Sequence, residues 1–229
     1  MENKKPNEIS SENHTLFIKQ VPEFRRTLDR QKNIVEIRAK HKVYTIYIER
    51  FKELKRGLHL VLNELRTAGS DDKLEIRINS AGGFVNEGKQ FYNLMNEKFH
   101  NRTITYLDNH GYSMGALLFC MGDKRVIYPY SDLMFHNYSG GAGGKGGEII
   151  SRVEHTDAHI KAFFRKVIVE QGFLTDGEFE KMLIGQDFWM GSKELCERKI
   201  ATHVVYKGKE IKAKKYLKLL KNEEKLKES

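Results

Sequence analysis

A serine stands inside Gly111-Tyr112-Ser113-Met114-Gly115-Ala116, at a point where the chain changes character. Upstream, Thr103-Ile104-Thr105-Tyr106-Leu107 is rich in β-branched residues and predicts a buried strand. Asp108-Asn109-His110-Gly111 has the composition of a turn. Met114 to Met121 is apolar and predicts a buried helix. A hydroxyl at a strand-to-helix junction can face a cleft. The first N–H groups of the helix have no partner within it, so they can stabilise an oxyanion that develops beside them. The flanking glycines let backbone and substrate approach closely. The pattern G-x-S-x-G is short, and an ordinary glycine-flanked turn capped by serine is spelled the same way.

Two further segments carry the chemistry beyond that ordinary turn. In Ile76-Arg77-Ile78-Asn79-Ser80-Ala81-Gly82-Gly83-Phe84-Val85 a strand ends in a polar, glycine-paired turn, and a helix is predicted from Asn86 to Phe99. Adjacent glycines permit a backbone that aims an N–H outward, which suits the second donor of an oxyanion hole. In Asp132-Leu133-Met134-Phe135-His136-Asn137 a histidine closes an apolar strand, followed by the glycine-rich run 140–147. A histidine in such a place is usually a packed, hydrogen-bonded side chain. Following a candidate nucleophile and preceding a loop, it is also a candidate base.

In this order and spacing, Asn79-Ser80-Ala81-Gly82-Gly83, Tyr112-Ser113-Met114-Gly115-Ala116 and Met134-Phe135-His136 resemble the ClpP proteolytic subunit of the Clp proteases, from about Val43 to Val205. The resemblance implies an α/β fold, the ClpP/crotonase-like spiral of ββα units with a projecting long helix. It implies a serine endopeptidase with Ser113 as nucleophile and His136 as general base. The family's aspartate precedes an aromatic-rich segment, and Gln186-Asp187-Phe188-Trp189-Met190 is similar, which assigns Asp187. The oxyanion donors fall on the N–H groups of Gly83 and Met114. Departures are Ala81 in place of the usual proline, Ile48-Glu49-Arg50-Phe51 in place of a glycine-containing segment, and an N-terminal region without a match.

The residue types suit that assignment. A serine hydroxyl needs a base within hydrogen-bond reach. The base needs a carboxylate on its far ring nitrogen, which sets the tautomer and stabilises the imidazolium. Read without the resemblance, Asp187 is a helix cap or a surface charge.

The chain has 229 residues, enough for one α/β domain with a real core. We read residues 1–13 as a disordered polar N-terminus, 14–210 as the protease domain and 211–229 as a basic C-terminal tail. Val43 to Ile48 is a strand. Leu54, Leu58, Val61, Leu62 and Leu65 recur at helical spacing, predicting an amphipathic helix over Lys52 to Ala68. Alternating strands and helices through Leu118 predict βαβ units with a parallel sheet. A long helix is expected from Glu148 to Glu170, ended at Gly172. Thr202 to Val205 is a late strand, and the basic end is either a short helix with Tyr216, Leu217 and Leu220 on one side or frayed.

Lys and Arg number 40 against 31 Asp and Glu, a net charge of +9, with clusters at both ends. No nucleic-acid motif accompanies them, and they read as solvated faces. The two cysteines, Cys120 and Cys196, make no C-x-x-C pair, as suits a reducing compartment. No apolar run is long enough for a bilayer and no signal-peptide core is visible, so a cytoplasmic protein without membrane contact is expected. His155 and His159 have a metal-ligand spacing, but Thr156 occupies the place of a zincin's glutamate. Around Lys145 a P-loop fails, because Gly146 follows the lysine and Ser139 replaces the first glycine. Neither a metal nor a cofactor is expected. Any ATP dependence must come from a partner, which the resemblance makes an AAA+ unfoldase ATPase acting with a homo-oligomer of stacked rings on peptides and unfolded proteins. Three other readings stay open. An α/β-hydrolase esterase would use Ser113, Asp187 and His203, in that chain order. A crotonase-like acyl-CoA enzyme or non-catalytic ring subunit would need no such set. A phage-type processing protease of the same family would work without an ATPase.

Overall fold

The computed structural model describes residues 7–11, 14–24, 37–49 and 58–228, with side chains over 41–49 and 58–226. Its framework is a sheet of strands β1 (Asn7–Ser11), β2 (His14–Phe24), β3 (Ile37–Ile48), β4 (Lys73–Ser80), β5 (Thr103–Tyr112), β6 (Lys124–Ile127), β7 (Asp132–Phe135), β8 (Phe188–Gly191), β9 (His203–Tyr206) and β10 (Lys209–Lys212). The order across the sheet is β1-β2-β3-β4-β5-β6-β9-β10, and β7 branches off to pair with β5 and β8. Pairings β3–β4, β4–β5, β5–β6 and β6–β9 are parallel. Parallel neighbours need crossovers, and helices α1 (Leu58–Arg66), α2 (Val85–Lys98) and α3 (Met114–Cys120) supply the first three.

The core follows from two periodicities. Along β3 and β4 every second side chain, Tyr44, Ile46, Ile48 and Leu74, Ile76, Ile78, is turned inward and almost fully buried. On α1 the buried residues are Leu58, Val61, Leu62 and Leu65, the i, i+3, i+4, i+7 stripe expected of a helix lying on a sheet. Every residue of α3 is buried. The Thr105 hydroxyl donates to the Phe119 carbonyl at 2.8 Å, so β5 also pins the end of the helix that it feeds.

Helix α4 (Gly146–Phe164) behaves differently. Of its residues only Ile160 and Phe164 are buried, while Ile150 is 60% and Val153 45% exposed. It runs into a π-helical turn, Arg165–Val169, whose Val167 and Ile168 are buried. The chain leaves that turn at Gly172, which has φ +74°. The first part of α4 therefore projects from the domain. Helix α5 (Asp176–Leu183) is capped by Thr175, whose hydroxyl accepts from the Glu178 N–H at 3.2 Å. Helices α6 (Ser192–Glu197) and α7 (Ala213–Glu228) complete the order. Ala213 and Tyr216 are buried, and Leu217 and Leu220 pack on the core, so α7 lies along the body of the fold.

Three expectations need adjustment. The stretch Asp108–Gly111 is not a turn. It continues β5 to Tyr112, because Ser80 pairs with Gly111 on one side and His110, Gly111 and Tyr112 pair with Asp132, Leu133 and Met134 on the other. Hydrogen-bond ladders on both edges outweigh a turn-like composition. Within the polar N-terminal stretch, Asn7–Ser11 is a strand paired antiparallel with β2, and the remainder of 1–13 lies outside the described residues. Of the helix expected over Lys52 to Ala68, Leu58–Arg66 is helical and residues 52–57 lie outside the described residues. No helix among the described residues is long and apolar enough to cross a membrane.

Candidate active site

Ser113 joins β5 to α3 with φ +56° and ψ −124°, a conformation rarely adopted by residues with a side chain. Holding it there costs on the order of 1–3 kcal/mol, so neighbouring bonds must enforce it. They are visible. The Ser113 N–H donates to the Met134 carbonyl at 3.0 Å, and the Ser113 carbonyl accepts from the Ala116 and Leu117 N–H groups at 3.0 and 3.2 Å. Behind it, Gly115 passes so near β4 that an added Cβ would stand 2.9 Å from the Ser80 carbonyl oxygen. The serine is half-buried and lines a cleft. Met114 opens α3, and its N–H and that of Gly115 precede the first bonds of the helix, which the Ala116 and Leu117 N–H groups make to the Ser113 carbonyl.

The bond from Ser113 to Met134 ties the serine to β7, and His136 follows that strand directly. Its ring is half-buried, and Nε2 is buried without a hydrogen-bond partner. That nitrogen is hydrogen-bonded neither to the Ser113 hydroxyl nor to the Asp187 carboxylate. Strand β7 pairs antiparallel with β8, and the last pair is Phe135 with Phe188. The next residue outward on one strand is His136, and on the other it is Asp187, which is exposed. Two strand pairings therefore bring together three segments that lie far apart in the sequence. His203 is elsewhere. It sits in β9, between β6 and β10, with Nδ1 3.0 Å from the Thr202 hydroxyl. Burial and the charge of Lys124 depress its pKa.

Aromatic groups buttress this corner. Tyr112, adjacent to Ser113, donates its hydroxyl to Asp132 at 2.5 Å. That bond, aided by burial, raises the phenol to about 12. Its ring meets Trp189 edge-on, with centroids 5.1 Å apart, across the β7 strand. After His136, the Asn137 amide donates to the Leu183 carbonyl at 2.8 Å and fixes the exit of the chain. The Tyr138 hydroxyl then donates to Asp157 on α4 at 2.8 Å. Burial, and then the Asp157 bond, push that phenol up. Hydrogen bonds from Lys161 and Tyr138 hold the Asp157 carboxyl below its ordinary range.

The cleft has a volume of about 510 Å³. It is lined by Gly83, Phe84 and Ser113, by residues from Tyr138 to Ala142, and by Arg152, Val153 and Ile160 of α4. Gly83 thus faces the same space as Ser113. The sequence carried no signal for the contribution of α4, because the direction of a projecting helix is not written in its own periodicity. His155 and His159 stack at 4.2 Å on the same helix, and no group of three or more metal-ligating side chains occurs among the described residues.

The Clp protease family model matches residues 29–208 of the chain. Among curated proteins, the ATP-dependent Clp protease proteolytic subunit 2 of Chlamydia trachomatis serovar D is 30% identical over 146 residues, covering 62% of this chain and 69% of the relative. The subunit of the same name from Chlamydia muridarum is 31% identical over the same shares. That of Thermobifida fusca is 28% identical over 142 residues, 60% of this chain and 68% of the relative.

Proposed function

The chain belongs to the Clp protease family, and from that premise we propose that it is a serine endopeptidase whose triad is Ser113, His136 and Asp187. The observation that carries the proposal is the positive-φ turn of Ser113, bonded to the strand that ends at His136. His136 takes the Ser113 proton as Oγ attacks the scissile carbonyl carbon. A C–O bond forms, and the carbonyl oxygen becomes an oxyanion received by the Gly83 and Met114 N–H groups. Collapse breaks the C–N bond, and the proton passes from His136 to the departing amine. Water, deprotonated by the same imidazole, then cleaves the acyl ester and restores the serine. Asp187 holds the imidazole in its productive tautomer and balances its positive charge.

The projecting, apolar-tipped α4 supports a homo-oligomer of stacked rings, since Ile150, 60% exposed, needs a cover that the described residues do not provide. Peptides and unfolded proteins are the substrates, cleaved within a chamber in the cytoplasm. An AAA+ unfoldase partner follows from relatives named as ATP-dependent. A fluorophosphonate probe with peptide mass mapping tests the site: modification confined to Ser113 is expected, and modification elsewhere, or none in an assembled protein, refutes it.

A further inference from the structure

Arg152 is the one charged side chain among the residues that line the Ser113 cleft. It is exposed, and it has no hydrogen bond or ion pair among the described residues. Of the acids on α4, Glu154 is exposed and makes no ion pair with Arg152, and the other two are engaged elsewhere. Glu148, one turn earlier, is turned back to accept from the Lys145 N–H at 3.3 Å. Asp157 is held by the Tyr138 hydroxyl at 2.8 Å and by the Lys161 ammonium at 2.7 Å. The next turn offers Thr156, which has no charge. The cleft is otherwise lined by uncharged residues, among them Phe84, Val85 and the segment 138–142. Among the described residues that line the cleft, the only fixed charge is therefore a guanidinium without a hydrogen-bond partner.

We infer that Arg152 is a specificity residue that selects peptide segments carrying an aspartate or glutamate beside the scissile bond. This rests on the peptidase reading of the same cleft. A guanidinium offers a planar fork that matches a carboxylate in two parallel hydrogen bonds, and it repels a lysine or arginine in the same place. Phe84 and Val153, 52% and 45% exposed, add apolar surface to the same cleft. A segment with mixed apolar and acidic character thus finds both of its parts complemented. Because Arg152 lies at an open rim, the preference is modest, about three- to fivefold per carboxylate, the scale of an exposed ion pair.

The test uses the full-length protein and matched fluorogenic peptides that differ only in Asp, Asn or Lys, scanned over three positions on each side of the cleaved bond. The wild type is expected to cleave the Asp peptide fastest and the Lys peptide slowest at one or two positions. Arg152→Gln should level the series and Arg152→Glu should invert it. Ratios between peptides are read, so a general loss of rate in a variant does not mimic the effect. In the wild type the preference should also shrink in about 1 M salt, where charge interactions reach only ~3 Å. Cleavage of all peptides without charge preference, or a preference unchanged in Arg152→Glu, overturns the inference and leaves the peptidase reading standing. Failure to cleave any peptide overturns both.

Discussion

Gly82 lies against Ser113 so closely that a Cβ placed on it would stand 2.7 Å from the Ser113 Cβ and 2.9 Å from the Tyr112 carbonyl oxygen. Gly82 also has φ +102°, which side-chain-bearing residues rarely adopt. The turn of the paired glycines and the turn that holds Ser113 are thus packed as one unit. Gly82→Ala is expected to displace Ser113 and to lower peptide hydrolysis about 100-fold, the scale of a ~1 Å misplacement. Gly177→Ala serves as the control. It lies in α5 with open space around its Cβ, and it should keep full activity and gain about 0.5 kcal/mol of stability. Steady-state rates and urea unfolding of both variants check this.

Ser113→Ala should reduce turnover by roughly four to six powers of ten, the range for a triad serine. His136→Ala should be similarly crippled, while His203→Ala keeps its rate. The two histidines occupy different parts of the sheet, and only the first follows the strand bonded to Ser113. An essential His203 with a dispensable His136 would establish the α/β-hydrolase order instead.

Asp187→Asn should lower kcat by about 10³–10⁴ with an unchanged far-UV spectrum. The side chain is exposed, so its loss leaves no cavity. An amide in that place keeps the shape but favours the wrong imidazole tautomer. Unchanged kcat in this variant would remove Asp187 from the site.

Trp189→Ala should slow hydrolysis and lower stability by about 1 kcal/mol, the value of an aromatic pair beyond its buried area. Its ring bears on Tyr112, one residue before Ser113, and its strand begins directly after Asp187. Trp189→Phe should restore much of both. If only stability moves, the pair is a structural brace without influence on Ser113.

Acid should weaken the α5–α6 corner first. The Arg198 guanidinium donates to both Glu178 oxygens at 2.8 and 3.1 Å, and chiefly for that reason the Glu178 carboxyl is held down at about 2, against an ordinary 4.5. A depressed carboxyl stabilises the folded state fully above pH 4.5, and that contribution is lost as the pH falls towards 2. Arg198→Ala is expected to cost about 1 kcal/mol at pH 7, since solvent screens the pair, and much less at pH 3. Urea midpoints at the two values give the comparison, and an equal loss at both would exclude the linkage.

The chemistry-bearing residue types, and much of the secondary structure around them, were legible in the sequence. The helical spacing of Leu58, Val61, Leu62 and Leu65, the apolar run from Met114 and the paired glycines at Gly82 and Gly83 are local signals. Each is decided by backbone sterics and side-chain period within a few residues. Tertiary structure decided the rest. Asp108 to Gly111 reads as a turn, yet it is strand, because β4 and β7 supply ladder partners from distant parts of the chain. That Asp187 lies beside His136 is not visible until β7 and β8 pair in a register that ends at Phe135 and Phe188. Arg152 reads as one polar residue on a wet helix until α4 is laid along the cleft of Ser113. In each case the deciding contact joins segments far apart in the chain. Its register depends on how the whole core buries its apolar faces, which no window of neighbouring residues contains.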